Sequence, residues 1–378
     1  MTFRLKTVIK FFAMETQKTI SLFFYVFAPK KEKKIIIGVT EIANILFNLK
    51  DLFNEECIVI CKNGNRFYMH NNYDIDYSKN KNIIKFILSA YYLGVLAKNA
   101  RYFIYLWNDG FLLNREMDFR FLKKHNIPII CSFLGDDIRS RKLYLDYCKS
   151  INFNTYVEYD NPGSFISDLN DTEKKRLADQ ADRYATIIFS HKLDMLSYLK
   201  SKQYFFPPII NESLFSFNKE KFDKIPIRIV HAPSLPVLKG TPIVRSVIKM
   251  LKKEGFDFLY IELINMPHEN VIKELSESHI VLNQFYSLIP GIFGLEAMAA
   301  CNAVLMSAKS DQFPYLFNNA WLETEDWQLY YNLKFLLENP EKIFEYAKNG
   351  FEYMSNNFTV KAIKEHLIKI FEENGLTL

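Results

Sequence analysis

The sequence predicts an α/β protein built from two units, each a parallel sheet covered by helices. Three observations predict it. A chain of 378 residues exceeds what one ordinary core holds, so two domains is the natural division. Short apolar runs suited to buried strands alternate with segments of helical period, the order that specifies parallel strands joined by helices. After the break at Pro207-Pro208 the same alternation starts again.

Residues 34–40 read as the first buried strand, 41–53 as an amphipathic helix and 57–61 as the next strand, which is a βαβ opening. Residues 82–98 have helical period, 102–107 are strand-like, 116–125 are helical, and 127–133 form a second continuous apolar run. A strand over 185–190 follows, then a helix before the two prolines. In the second unit, strands are expected over 227–230, 256–264, 279–283 and 303–306, with helices over 241–253 and 269–276. Thr241 is expected to cap the first of these helices, with Pro242 at its first position. Helices over 326–338, 340–355 and 360–373 close the chain.

Composition narrows the function. Hydrophobic residues at 49% and charged residues at 24% exclude a mainly disordered chain. The Phe and Tyr residues are spread along the whole length and carry no functional weight. A net charge of +5 is too small to imply nucleic acid. Residues 1–34 are different: Arg4, Lys6, Lys10, Lys18, Lys30, Lys31, Lys33 and Lys34 flank the apolar run 20–28, against two acids. That run is too short to span a bilayer, and Pro29 with a lysine cluster directly after it argues against a cleaved signal peptide. Two readings stand equally: an arm lying on an anionic membrane, and a helix packed on the first domain with solvated lysines. The cysteines (Cys57, Cys61, Cys131, Cys148, Cys301) contain no C-x-x-C pair, so they read as reduced, buried thiols. A cytoplasmic location follows, with no metal site.

The segment 290–300 is the most informative. A turn at Pro290-Gly291 leads into a helix, with Glu296 expected in its first turn and the apolar run 303–306 beyond. This is how a parallel α/β unit presents helix amides to a phosphate. Gly291 permits close backbone approach, and Gly294 inside the helix points to close packing or a nearby ligand. Glu296 has two readings: an acid favoured by the helix dipole, or a carboxylate that accepts both hydroxyls of a ribose. Lys239, beside Gly240-Thr241-Pro242 after the first strand of the second unit, is placed to offset phosphate charge.

Lys239-Gly240-Thr241 together with the Phe293-Gly294 turn and Glu296-Ala297-Met298-Ala299 resembles the retaining nucleotide-sugar glycosyltransferases of family four, which have the two-domain GT-B fold. Residues 35–48 and Gly135-Asp136-Asp137-Ile138-Arg139 extend the likeness to the first half, as seen in polysaccharide-building members. The resemblance implies two Rossmann-like domains whose parallel sheets face a central cleft. The expected division is an arm over 1–34, an acceptor-side domain over 35–205, a nucleotide-sugar domain over 206–355 and a C-terminal helix, 356–378, crossing back to the first domain. It implies that Glu296 binds the ribose, that Gly291, Ile292 and Phe293 with Gly240 hold the donor, and that Lys239 stabilises the leaving diphosphate. Catalysis would need no metal, cofactor or protein nucleophile, because the donor phosphate takes the acceptor proton.

The chain departs from the family pattern at Leu288, where the first glutamate of the E-x7-E motif would stand, and at Pro290, which replaces an aromatic residue. The basic residue that often precedes the lysine is also missing. Acceptor-side candidates follow predicted strands: Thr40, Glu41, Asp109, Asp136, Asp137 and Arg139. For one of Asp136 and Asp137 a helix cap is the plainer role, with Arg139 pairing to it. Trp107 reads as packing, and His231 equally as a structural residue or a ligand.

The expected activity is hexosyl transfer, with retention, from a nucleotide diphosphate-sugar to a glycan or lipid-linked glycan in surface polysaccharide assembly. The cytoplasmic location includes peripheral contact with the inner face of the plasma membrane. Two alternatives are a catalytically weakened relative acting as a non-enzymatic partner in glycan assembly, and another sugar-nucleotide enzyme on the same fold, such as an epimerase.

Overall fold

The structure is a computed structural model that describes residues 3–42, 44–53, 56–64, 72–155, 170–192, 195–210, 212–214, 216–310 and 319–378. The chain divides into two compact units. One comprises residues 1–140, 169–206 and 367–378, the other 141–168 and 207–366.

In the first unit the apolar runs become strands: β1 (Lys34–Thr40), β2 (Cys57–Asn63), β3 (Ile75–Asp76), β4 (Ala100–Leu106), β5 (Ile129–Ser132), β6 (Ile187–Phe189) and β7 (Gln203–Tyr204). They form one sheet in the order β3-β2-β1-β4-β5-β6-β7, with every neighbouring pair parallel. β1 and β5 are buried along almost their whole length, as continuous apolar strands under helices must be. Helices α1 (Phe3–Phe27), α2 (Ile45–Phe53), α3 (Asn82–Ala97), α4 (Arg115–Lys124) and α6 (Asp171–Tyr184) belong to this unit, while α5 (Arg141–Ser150) belongs to the other. Strand order reverses between β1 and β4, so a crevice lies at their carboxyl ends.

Helix α1 packs along α3. Gln17 donates to Phe86 O at 2.9 Å and accepts from Leu113 N at 2.9 Å, and Ser21 Oγ donates to Ala90 O at 3.0 Å. These contacts advance together along both helices, so the two run parallel. Gly94 makes the approach possible, since a Cβ there would stand 2.3 Å from Ser21 O. Of the two readings of the arm, the packed helix describes its inner face. No described helix is long and apolar enough to cross a membrane.

The second unit holds β8 (Ile227–His231), β9 (Phe258–Glu262), β10 (Ile280–Leu282), β11 (Ala303–Met306) and β12 (Leu322–Glu323), all parallel in the order β12-β11-β10-β8-β9. Its helices are α7 (Thr241–Lys253), α8 (His268–Glu277), α9 (Ile292–Ala299), α10 (Leu329–Glu338) and α11 (Pro340–Asn357). The helix α12 (Val360–Glu373) follows near the end of the chain. Here the strand order reverses between β8 and β10.

Several expectations are corrected. The helix expected from residue 41 starts at Ile45, because Glu41 instead accepts from Phe47 N at 3.1 Å ahead of it. No helix is found among the described residues between β6 and the two prolines. There the amides of Lys200 and Ser201 bond the Asp182 carboxylate, and Gln203–Tyr204 adds an edge strand. Helices α5 and α6 were not anticipated, although Asn170 and Glu173 form a capping box that starts α6. All five cysteines are free and buried.

Candidate functional site

In the second unit the predicted donor residues gather where the strand order reverses. β8 ends at His231, and the loop after it folds back through Lys239 N to Leu235 O at 3.0 Å and Thr241 N to Pro236 O at 2.9 Å. This turn brings Lys239 beside the end of β10, where its ammonium donates to Gln284 Oε1. Gln284 Nε2 in turn donates to Ile289 O at 2.8 Å, which fixes the loop leading to α9. One amide side chain thus ties the lysine to the approach of a helix N-terminus.

That N-terminus is open to an anion. Gly291 is the N-cap, no acid occupies the first turn, and the amides of Ile292 and Phe293 stand where a helix has no internal acceptors. Gly294 is required by packing, since a Cβ there would lie only 2.3 Å from Asn283 Nδ2, whereas one at Gly291 would make a tight contact, 3.1 Å, with the far end of the Gln284 side chain. The close approach at Gly294 is therefore to Asn283.

Glu296 lies in the second turn of α9, not the first, so the dipole account of its presence weakens, since that effect is confined to the terminal turn. It is largely buried and accepts from His268 Nε2 at 2.8 Å. Burial by itself would lower the pKa of His268, but the hydrogen bond and charge of Glu296 outweigh it and hold the imidazole above its usual value. His268 was not singled out from the sequence. Its only signal is a place at the start of α8, just after the carboxyl end of β9.

Thr241 does not cap α7. Gly240, at φ 80°, is the N-cap, because the Thr241 hydroxyl is engaged by His231 Nε2 at 2.8 Å. His231 Nδ1 faces Leu282 O at 2.7 Å, and burial pushes its pKa down to about 4. It joins β8, β10 and α7 as a neutral structural residue. Leu288 is fully buried among the apolar residues of the core.

The acceptor-side candidates lie in the first unit and separate into two kinds. Thr40 Oγ1 donates to Asp109 Oδ2 at 2.5 Å, and Asn63 Nδ2 reaches the same oxygen at 3.2 Å, so the ends of β1, β2 and β4 converge where that strand order reverses. A polar cavity of about 510 Å³ adjoins Asp109, edged by Lys62, Arg115 and Arg176. Arg139 pairs with Asp136. Glu41 and Asp137 turn inward instead. Glu41 holds Phe47 N and the Tyr73 hydroxyl, while Asp137 accepts from Leu134 N at 3.1 Å and Gly135 N at 2.9 Å, with burial raising its pKa to about 7. Trp107 is half-buried, and its carbonyl accepts from Arg115 at 3.0 Å.

Two Rossmann-like parallel-sheet units in one chain define the GT-B fold, and solved structures match it across most of the chain. Sucrose-phosphate synthase from Thermosynechococcus elongatus aligns at TM-score 0.58 and 10% identity over 91% of this chain and 99% of its own. The catalytic domain of starch synthase IV from Arabidopsis thaliana, bound to ADP and acarbose, aligns at 0.56 and 9% over 91% and 99%. A protein described as a UDP-N-acetylglucosamine 2-epimerase, from Listeria monocytogenes, aligns at 0.50 and 12% over 90% and 97%. No family model and no curated protein matches the chain.

Proposed function

We propose that this chain is a glycosyltransferase that moves a hexosyl group, with retention, from a nucleotide diphosphate-sugar to a glycan or lipid-linked glycan of a surface polysaccharide. The observation that carries the reading is the convergence of Lys239 and the N-terminus of α9 on Gln284, at the reversal of strand order, with Glu296 one turn along. A diphosphate binds where a cation and helix amides meet, and a carboxylate nearby suits a ribose diol.

In this mechanism Lys239 and the amides of Ile292 and Phe293 hold the diphosphate. As the glycosidic C–O bond breaks, charge grows on the leaving phosphate oxygen, and these donors stabilise it. A non-bridging phosphate oxygen takes the acceptor hydroxyl proton as the new C–O bond forms on the same face. No metal or protein nucleophile takes part. Thr40 and Asp109 are the acceptor-side residues best supported, because both carry polar groups at carboxyl strand ends.

Screening nucleotide diphosphate-sugars for nucleotide release, with membrane extract as acceptor source, tests the reading. Release above background from one donor is expected, and its absence from all donors would count against transfer. Leu288 favours a second reading, a non-enzymatic partner in glycan assembly, because half of the family's acidic pair is core. Calorimetric titration separates the two: a partner without catalytic function binds none of the nucleotide diphosphates. Release of an altered free sugar without acceptor would point to an epimerase.

A further inference from the structure

The outward face of α1 is apolar, although the helix is already packed on its inner face. Val8, Phe12, Phe23 and Val26 recur at helical spacing on the side opposite Gln17 and Ser21, and Phe12 and Phe27 are 65% and 70% exposed. Ile83 and Ile87 of α3, exposed at 66% and 48%, lie alongside the middle of α1 and extend the same surface. Single exposed apolar side chains are ordinary, but a run of them along two adjacent helices is not.

Two further features identify what covers this face. Lys30, Lys31 and Lys33 are all exposed just after α1, and Lys18, which pairs with Glu15 at 3.1 Å, is exposed on its flank. A second copy of the chain would oppose this basic surface to its own kind, whereas an anionic surface complements it. The second feature is a largely apolar cavity of about 660 Å³ at the C-terminal end of α1, bounded by Phe23, Phe27, Tyr91 and Val95, with Lys31 and the Lys34–Glu32 ion pair (3.2 Å) also lining it, so that Lys31 is the cation left for a headgroup. It also touches Ile36 and Ile58, near the amino ends of β1 and β2. The sheet edge where Thr40 and Asp109 meet is the opposite one, so the cavity is not part of the acceptor site.

We propose that the outward face of α1 with the amino end of α3 docks on an anionic lipid bilayer, and that the apolar cavity seats one acyl chain whose anionic headgroup meets Lys31. This stands independently of the sugar-transfer reading. The test is co-sedimentation of the full chain with phosphatidylcholine vesicles, with and without phosphatidylglycerol. Binding to the anionic vesicles should be at least roughly tenfold tighter and should weaken with salt. Phe12→Ser with Phe27→Ser, at exposed positions and with unchanged circular dichroism, should lose roughly tenfold in binding. Lys31→Glu with Lys33→Glu should remove the preference for anionic lipid. Brominated acyl chains should quench a Tyr91→Trp reporter, and lack of quenching would remove the seated chain. The docking itself is overturned if the chain stays in solution with both vesicles, binds both equally, or sediments unchanged with the serine variant. A wild-type dimer that Phe12→Ser dissolves would assign the face to a second copy instead.

Discussion

His231 couples β8, β10 and α7 through a ring that must stay neutral. Leu282 O can only accept, so Nδ1 carries the proton and Nε2 accepts from the Thr241 hydroxyl. The neutral ring is thus fully satisfied, and burial lowers its pKa from 6.5 to about 4. The unfolded chain then binds more protons between these values, so this stability is present above about pH 6.5 and is lost as pH falls toward 4, on the order of 3 kcal/mol in all. His231→Gln should flatten the unfolding free energy over that window, measured by denaturant titration at several pH values. At Gly294 two effects compete. Alanine would gain up to about 1 kcal/mol of helix propensity, but its Cβ would meet buried Asn283, and overpacking of this kind costs about 1–3 kcal/mol. Gly294→Ala should therefore lower the melting temperature. Lys239, Gly291 and Glu296 were legible because each stands in a contiguous motif. His268 was not, since it meets Glu296 across 28 residues and nothing local marks the pair.

At the scale of elements, the buried strands were legible and the edges were not. β11 is apolar throughout and β1 is apolar between Lys34 and Thr40, and their predicted and observed limits agree. β3, β7 and β12 are two residues each, too short for any periodicity, and exist because a neighbouring strand offers free backbone groups. α6 depends on its start: Asn170→Ala should cost about 1 kcal/mol by removing the bond to Glu173 N, with Asn170→Asp retaining most of it, as thermal melts would show. For α1, Gly94→Val would force the helix away from α3, because even the first carbon meets Ser21 O. Faster cleavage within α1 under limited proteolysis is the expected readout.

At the scale of the molecule, the two parallel sheets, of seven and five strands among the described residues, place both candidate regions at reversals of strand order, as the α/β alternation implied. What the alternation leaves open is the sugar, since pocket shape depends on side chains from distant loops. If the donor reading holds, Glu296→Ala or Lys239→Ala should abolish turnover, at least roughly a hundredfold, with the circular dichroism of the folded protein retained. A nucleotide diphosphate at about a hundred times its dissociation constant should stabilise the fold by about 2.7 kcal/mol, visible as a raised melting temperature. Turnover should persist in the presence of a strong chelator.

Gln17 has a practical consequence for anyone handling the protein. With one buried amide bonded to both Phe86 O and Leu113 N, α1 is stitched into the first unit at its midpoint. Removing the greasy N-terminal helix to improve solubility would do the reverse. It would take from Leu113 N its acceptor and bare Ala90 and Gly94, with the Tyr91 ring that Phe24 covers at 4.7 Å, so the shortened chain would be stickier than the parent. Exchanging Phe12 and Phe27 for polar residues, with the helix kept, is the better route to a well-behaved sample.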